Sequence, residues 1–241
     1  MHPAAIAFRN PAALHARCDH GGYRRTYFEP DYETGAVLPD ATSWDPLPVG
    51  YAERFAPGYF TPGTGLVELF KLPSSVTDRD TLAAMVGTLG DPHPVTLGDT
   101  EDPPGVPTTH VLPESGKRPG LHVDNHQNLP YGERRKARRR LCVNLGPGSR
   151  YLLVADTDIL SICRCVRDRY EDHHPSTGDL RTYLALHRPL RLLRLRVDPG
   201  EGWLAPTSFL PYDESTEGLD RPSATSSWLG HWEPYLFDPL I

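Results

Sequence analysis

Twenty-six prolines and twenty-one glycines are spread through the 241 residues of this chain. Proline removes a backbone donor and fixes φ, and glycine loses the most conformational freedom on folding, so neither suits the interior of a long helix. The chain is cut into short pieces, and strands, turns and a few short helices are what fit between the breaks. One domain is expected, because all-β sandwiches and barrels of this length commonly stay undivided.

Residues 1–64 scatter aromatic side chains among Pro and Asp, as in Tyr27-Phe28-Glu29-Pro30-Asp31-Tyr32, and no period of 2 or 3.6 is sustained. An irregular wrapping or lid segment is expected there, with the β core over 65–241. Gly65 to Leu72 reads as a strand, and Ser74 to Asp78 can cap a helix from about Arg79 to Leu89 that stops at Gly90. Short strands are expected at Thr109–Leu112 and Leu121–Asp124. Leu141–Leu145 and Arg150–Val154 look like two strands joined by a tight turn at Gly146–Ser149. Asp158 opens a helix through Val166, and Tyr170–Ser176 reads as a surface loop. Leu190–Val197 alternates leucine with arginine, the pattern of a half-buried strand in an antiparallel sheet, and Ala224–His231 is the last strand. The sum is a mostly β fold, antiparallel, with a few peripheral helices: a sandwich, jelly roll or barrel.

A net charge of −6 argues against a nucleic-acid partner, since such proteins carry a basic excess that displaces counterions from phosphate. No apolar run approaches the roughly 20 residues of a membrane helix, and the opening residues lack the basic start and apolar middle of a signal peptide. A cytoplasmic protein with no membrane partner is expected. Cys18, Cys142, Cys163 and Cys165 are too few for a disulfide framework, and the Cys163-Arg164-Cys165 pair has no second pair at zinc spacing. From Arg134 to Arg140, six residues of seven are basic. This run is either a solvated loop leading into a strand or an anion site for a carboxylate or phosphate, and the net acidity of the chain favours the loop.

Chemistry concentrates in Leu121-His122-Val123-Asp124-Asn125-His126. On an extended strand His122 and Asp124 project from one face, an imidazole and a carboxylate placed as a metal site needs them. The triplet alone is weak. Eleven histidines and 31 acids in 241 residues give 11 × 31/241, about 1.4 His-x-acid triplets by chance, and two are present, the other being His231-Trp232-Glu233.

The triplet and the chain beyond it together resemble the iron(II) and 2-oxoglutarate-dependent oxygenases, whose double-stranded β-helix is a jelly-roll, cupin-like fold. His122 and Asp124 match the family's His-x-Asp motif. Gly200-Glu201 is similar to its acidic turn, Trp203-Leu204-Ala205-Pro206 to the strand after it, and Arg221 with Ser223 to the pair that holds the distal carboxylate of the cosubstrate. The resemblance implies Fe(II) as metal, 2-oxoglutarate as cosubstrate, molecular oxygen as reactant, and oxidation of a small molecule such as an amino acid or natural-product intermediate. His126 and Asn144 are placed to line its pocket. The chain departs from the pattern where the second histidine belongs, because Tyr212 stands there with Asp213 beside it. Tyr212 can ligate the metal itself, Asp213 can swing in, His231 or His187 can complete the site, or the domain binds without catalysing. A cupin-like metalloenzyme that uses no 2-oxoglutarate is the alternative enzyme, and a degenerate β-sandwich the non-enzyme.

Overall fold

The computed structural model describes residues 4–48, 50–58 and 65–241. The first third carries β1 (Ala5–Ile6), α1 (Pro11–His15), β2 (Cys18–Gly21), β3 (Tyr23–Arg25), β4 (Tyr32–Pro39), β5 (Asp45–Pro46) and β6 (Leu66–Lys71). Then come α2 (Arg79–Gly87), β7 (Val95–Asp102), β8 (Arg118–Gly120), β9 (Arg139–Pro147), β10 (Arg150–Ala155), α3 (Ile159–Val166) and α4 (Thr177–Ala185). The chain closes with β11 (Leu192–Val197), β12 (Glu201–Ala205), β13 (Tyr212–Ser215) and β14 (Ser223–Gly230). The protein is mostly β. A six-stranded sheet runs β1-β6-β12-β9-β14-β7, a five-stranded sheet runs β13-β10-β11-β2-β5, and β3-β4-β8 form a small third sheet.

The antiparallel pairs nest. β10 pairs with β11, β9 with β12 and β14 with β7, and between these shells His122 bridges to Tyr212 at the start of β13. Period-2 alternation explains how β9 serves two layers. Its Cys142 joins the core between the two large sheets, where Leu152, Leu195 and Trp203 meet, while Leu141 and Val143 face the other way onto Leu82 and Val86 of α2. Asp78 caps α2 with its side chain on the Thr81 N–H, and the Thr81 hydroxyl oxygen accepts in return from the Asp78 N–H. On β11 the arginines of the alternating stretch point to the wet face, where Arg194 pairs with Asp19 and Arg196 with Asp198. β7 is an outer strand rich in Thr, Asp and Glu, a composition that discourages edge-to-edge pairing.

Four expectations change. The segment 1–64 is not irregular: where described it supplies β1 to β5, two of which extend the five-stranded sheet. Its residues 1–3, 49 and 59–64 lie outside the described residues. Four of these strands have only two to four residues, too short to show a period, and the eight-residue β4 is buried without alternation from Gly35 to Pro39, which is why they read as loop. Thr109–Leu112 forms no strand: the Thr109 N–H is shared between the Glu214 carbonyl at 2.9 Å and the Asp213 side chain, and the His110 N–H donates to the Asp213 side chain. Leu121–Asp124 makes one bridge rather than a ladder. Finally, β9 and β10 do not pair with each other. The turn at Gly146–Ser149 carries the chain from one sheet to the other, and Gly148 is held there by its N–H on the Pro222 carbonyl.

Candidate functional site

The site is built outward from Gly120. β8 runs parallel to β4 with Gly120 opposite Val37, at φ +70, and a Cβ at Gly120 would stand 2.8 Å from the Val37 nitrogen. Glycine is what both the left-handed backbone and the close approach require. The Gly120 carbonyl accepts from His122 Nδ1 at 2.9 Å. A carbonyl cannot donate, so Nδ1 carries the hydrogen and the neutral ring presents its lone pair at Nε2. Asp213 stands behind the ring, its Oδ2 3.5 Å from Nδ1. Its Oδ1 is fixed by the N–H groups of Thr109 and His110, both at 3.2 Å, and of Glu214 at 2.7 Å. Burial opposes charge on His122, but hydrogen bonding and attraction to Asp213, with help from Asp124, raise its pKa above the ordinary 6.5. Nε2 is buried and has no hydrogen-bond partner among the described residues. His110 stacks on the ring at 4.4 Å, and burial followed by the neighbouring His122 lowers its own pKa.

Asp124 faces that open nitrogen. Its Oδ1 lies 3.8 Å from His122 Nε2 and 3.6 Å from His126 Nε2. Its Oδ2 accepts from the Tyr212 hydroxyl at 3.0 Å and meets Arg140 Nη1 at 3.5 Å. Arg140 also donates to the Tyr212 oxygen. Burial alone would raise the Asp124 pKa, but Arg140, His122 and His126 together hold it down to about 2. For Tyr212, burial dominates and pushes the phenol well above 10, so it stays protonated and donates to Asp124. The pair opens into a cavity of about 260 Å³ lined also by His110, His126, Glu33 and Arg181.

The structure therefore gathers His122, Asp124, His126 and Tyr212, with Tyr212 as a hydrogen-bond partner of the carboxylate. It does not gather the others. Asp213 cannot swing to the Nε2 side, since three backbone N–H groups hold it on the Nδ1 side. His231 is exposed at the end of β14, where its N–H donates to Asp91, and it lines a different cavity. His187 sits exposed after α4 and lines neither cavity. Ser223 pairs with Pro147 at the end of β9 remote from Arg140, seven residues and about 23 Å along the strand. Arg221 precedes it in an exposed turn. Ser223 instead accepts from Arg150, a buried guanidinium that also meets Asp102 and Glu214. Asn144 does not line the pocket either: its amide donates to the Gly148 and Val197 carbonyls and its oxygen accepts from the Gly146 N–H, which shapes the turn between sheets.

Sequence reasoning misses three residues of the site. Arg140 is hidden in the basic run, although it lies two and four positions before Cys142 and Asn144 and so shares their inward face. Gly120 and His110 carry no signal of their own, since one acts through a backbone approach and the other through a stack between distant segments.

A divalent ion with bonds near 2.1 Å sets its donors about 3 to 3.5 Å apart. His122 Nε2 and Asp124 Oδ1, at 3.8 Å, fit after a small closure, and the half-exposed His126 has room to rotate in as third donor. The Gly120 carbonyl and Asp213 supply the outer contacts that ordinarily orient a ligating histidine. 2-Oxoglutarate at Arg221 does not fit, because that guanidinium is at the other end of the sheet. Among the described residues, the trio that already brings donor atoms within 4.8 Å of one another is Cys163, His173 and Asp179. Its carboxylate is engaged: Asp179 takes Arg167 on one oxygen and His173 with the Ser176 N–H on the other, capping α4. Burial, then Asp179, pushes the Cys163 thiol up to about 11. That trio reads as the anchor of a helix.

No family model matches the chain, and no curated protein matches it at a significant level. Among the described residues no helix is long and apolar enough to cross a membrane.

Proposed function

We propose that this chain is a cytoplasmic metalloenzyme on a jelly roll of the cupin, double-stranded β-helix kind. It binds one divalent ion, of which Fe(II) is the best suited, and oxidises a small molecule with molecular oxygen. The nesting of β10·β11, β9·β12, the His122·Tyr212 bridge and β7·β14, with β7, β9, β12 and β14 in the six-stranded sheet and β10, β11 and β13 in the five-stranded one, supports the fold. One observation carries the function: the buried, unpartnered His122 Nε2 beside Asp124 Oδ1. An imidazole lone pair and a carboxylate of this kind suit Fe(II), Mn(II) or Zn(II).

In this reading His122, Asp124 and His126 hold the ion, which when bound supplies the activation of oxygen. Asp213 and Gly120 keep the His122 lone pair turned to the ion. Arg140 and Tyr212 fix the second oxygen of Asp124, so that Oδ1 alone faces the ion. His110, Glu33 and Arg181 wall the cavity in which a polar substrate sits. A second reading keeps 2-oxoglutarate as cosubstrate. It is favoured by the bridge that sets Tyr212 directly across from His122, at the third-ligand position of the oxygenase pattern. Arg140 is then the buried guanidinium nearest the centre, in place of Arg221.

Anaerobic titration of metal-free protein with Fe(II) tests the proposal. One ion per chain is expected, lost in His122→Ala and Asp124→Ala variants whose circular dichroism is unchanged. Equal metal uptake by His122→Ala sinks the site, and no uptake by the natural chain leaves a β-sandwich that binds without catalysing. A visible charge-transfer band on adding 2-oxoglutarate selects the second reading.

A further inference from the structure

We infer that the cavity between residues 134–139 and 231–234 is a binding site for a small organic phosphate monoester, separate from the His122 pocket and independent of any metal there. The cavity holds about 330 Å³, within the range of small-ligand sites. Its cations are unusual in being buried. Arg134 is fully shielded, donates through Nε to the Ser208 carbonyl at 2.6 Å and through Nη2 to the Asp124 carbonyl at 2.8 Å, and has no carboxylate in ion-pair contact among the described residues. Among the described residues its Nη1 finds no acceptor. Arg139 pairs with Glu68 at 2.7 Å, yet its Nε is also without an acceptor. Trp232, which also lines the cavity and is 4% exposed, carries a third donor without an acceptor among the described residues, its indole Nε1.

Buried donors ordinarily find acceptors, and among the described residues three without one belong to side chains that line this cavity. Arg135 and Lys136 add positive charge at the rim, with Arg135 lying 5.5 Å from the centre of the Phe209 ring. Glu233 is the one carboxylate in the lining, and its backbone carbonyl accepts from Arg139. The chain as a whole is acidic, so this concentration of cations is local. A carboxylate offers two oxygens, whereas a phosphate monoester offers three, with charge near −2, to an indole N–H and two guanidinium edges. Phe209, Trp232 and the prolines at 206 and 234 give the organic part an apolar wall.

Calorimetric titration with inorganic phosphate, phenyl phosphate and benzoate at fixed ionic strength tests this. Phenyl phosphate is expected to bind tightest and inorganic phosphate more weakly. The Arg135→Ala/Lys136→Ala variant, altered only at the rim, should weaken phenyl phosphate on the order of tenfold. Trp232→Phe, which keeps an aromatic ring and removes the donor, should weaken it severalfold. The inference fails if no phosphate binds saturably, if benzoate binds as tightly as phenyl phosphate, or if the rim variant binds as well as the natural chain.

Discussion

Replacing Asp213 with asparagine isolates the group that sets the charge of His122. The new side chain keeps an oxygen for the N–H groups of Thr109, His110 and Glu214, so the backbone should hold while the negative charge 3.5 Å from Nδ1 disappears. At that distance two unit charges attract by about 5 kcal/mol at an effective dielectric near 20, before desolvation takes back most of it. Loss of an outer carboxylate typically weakens metal binding by about 10- to 100-fold. The Gly120 carbonyl still holds Nδ1 at 2.9 Å, so the lower end is expected, roughly tenfold or 1.4 kcal/mol.

The pH profile is more telling than the affinity. Metal competes with a proton for Nε2, and His122 titrates above 6.5 in the natural chain, so affinity should climb through an inflection above 6.5. Because the folded pKa is raised, the stability that the metal-free protein draws from protonated His122 is present below 6.5 and fades as pH rises through the folded value. Without Asp213, burial is less opposed and the inflection should move down. The two affinity curves then converge towards acid pH. Chelator competition followed from about pH 5.5 to 8.5 spans this window. Parallel curves, with a constant ratio at every pH, would show that Asp213 does not govern His122.

Two further substitutions probe the supports of the site. Gly120→Ala puts a side chain at φ +70 and 2.8 Å from the Val37 nitrogen, and should cost about 1–2 kcal/mol for the left-handed backbone and about 1–3 for crowding. Urea denaturation measures the sum, and a loss under about 1 kcal/mol would mean that β8 and β4 separate freely. Arg140→Met leaves the Asp124 carboxylate buried without its nearest cation, a change worth about 3–5 kcal/mol. In the natural chain the drop of Asp124 from 3.8 to about 2 corresponds to about 2 kcal/mol, present above pH 4 and lost as pH falls through 2. Acid denaturation of Arg140→Met should therefore begin at higher pH, and an unshifted midpoint would assign the low pKa to the histidines instead.

Periodicity reveals what repeats and hides what does not. Leu192–Val197 alternates because it covers a core on one side, Leu141–Val143 reads as an unbroken apolar run because it is buried on both, and Asp78 and Asp158 announce helices because capping is local chemistry. The same kind of signal stands in Ser176 and Asp179, the capping box of α4, beside what reads as loop. The His122–Asp124 pair is legible because a strand puts alternate residues on one face. Arg140 and His110 are not, since they arrive by pairings between segments distant in the chain. The basic run misleads in the other direction: Arg134 and Arg139 are buried, and their partners are carbonyls and one glutamate that no local pattern foretells.

The nested pairing of the large sheets also has a kinetic meaning. Joining β7 to β14 first would close a loop of more than a hundred residues, an entropic barrier that grows with length. Once β10 and β11 have met, β9 and β12 are already neighbours, and each shell shortens the loop left for the next. Folding is expected to proceed outward from the β10–β11 pair, with amide protection acquired there first under pulse labelling and in β7 last. Earlier protection of β7 than of β10 would refute that order. The outermost strand, polar and late to dock, is then also where the folded chain should open most readily.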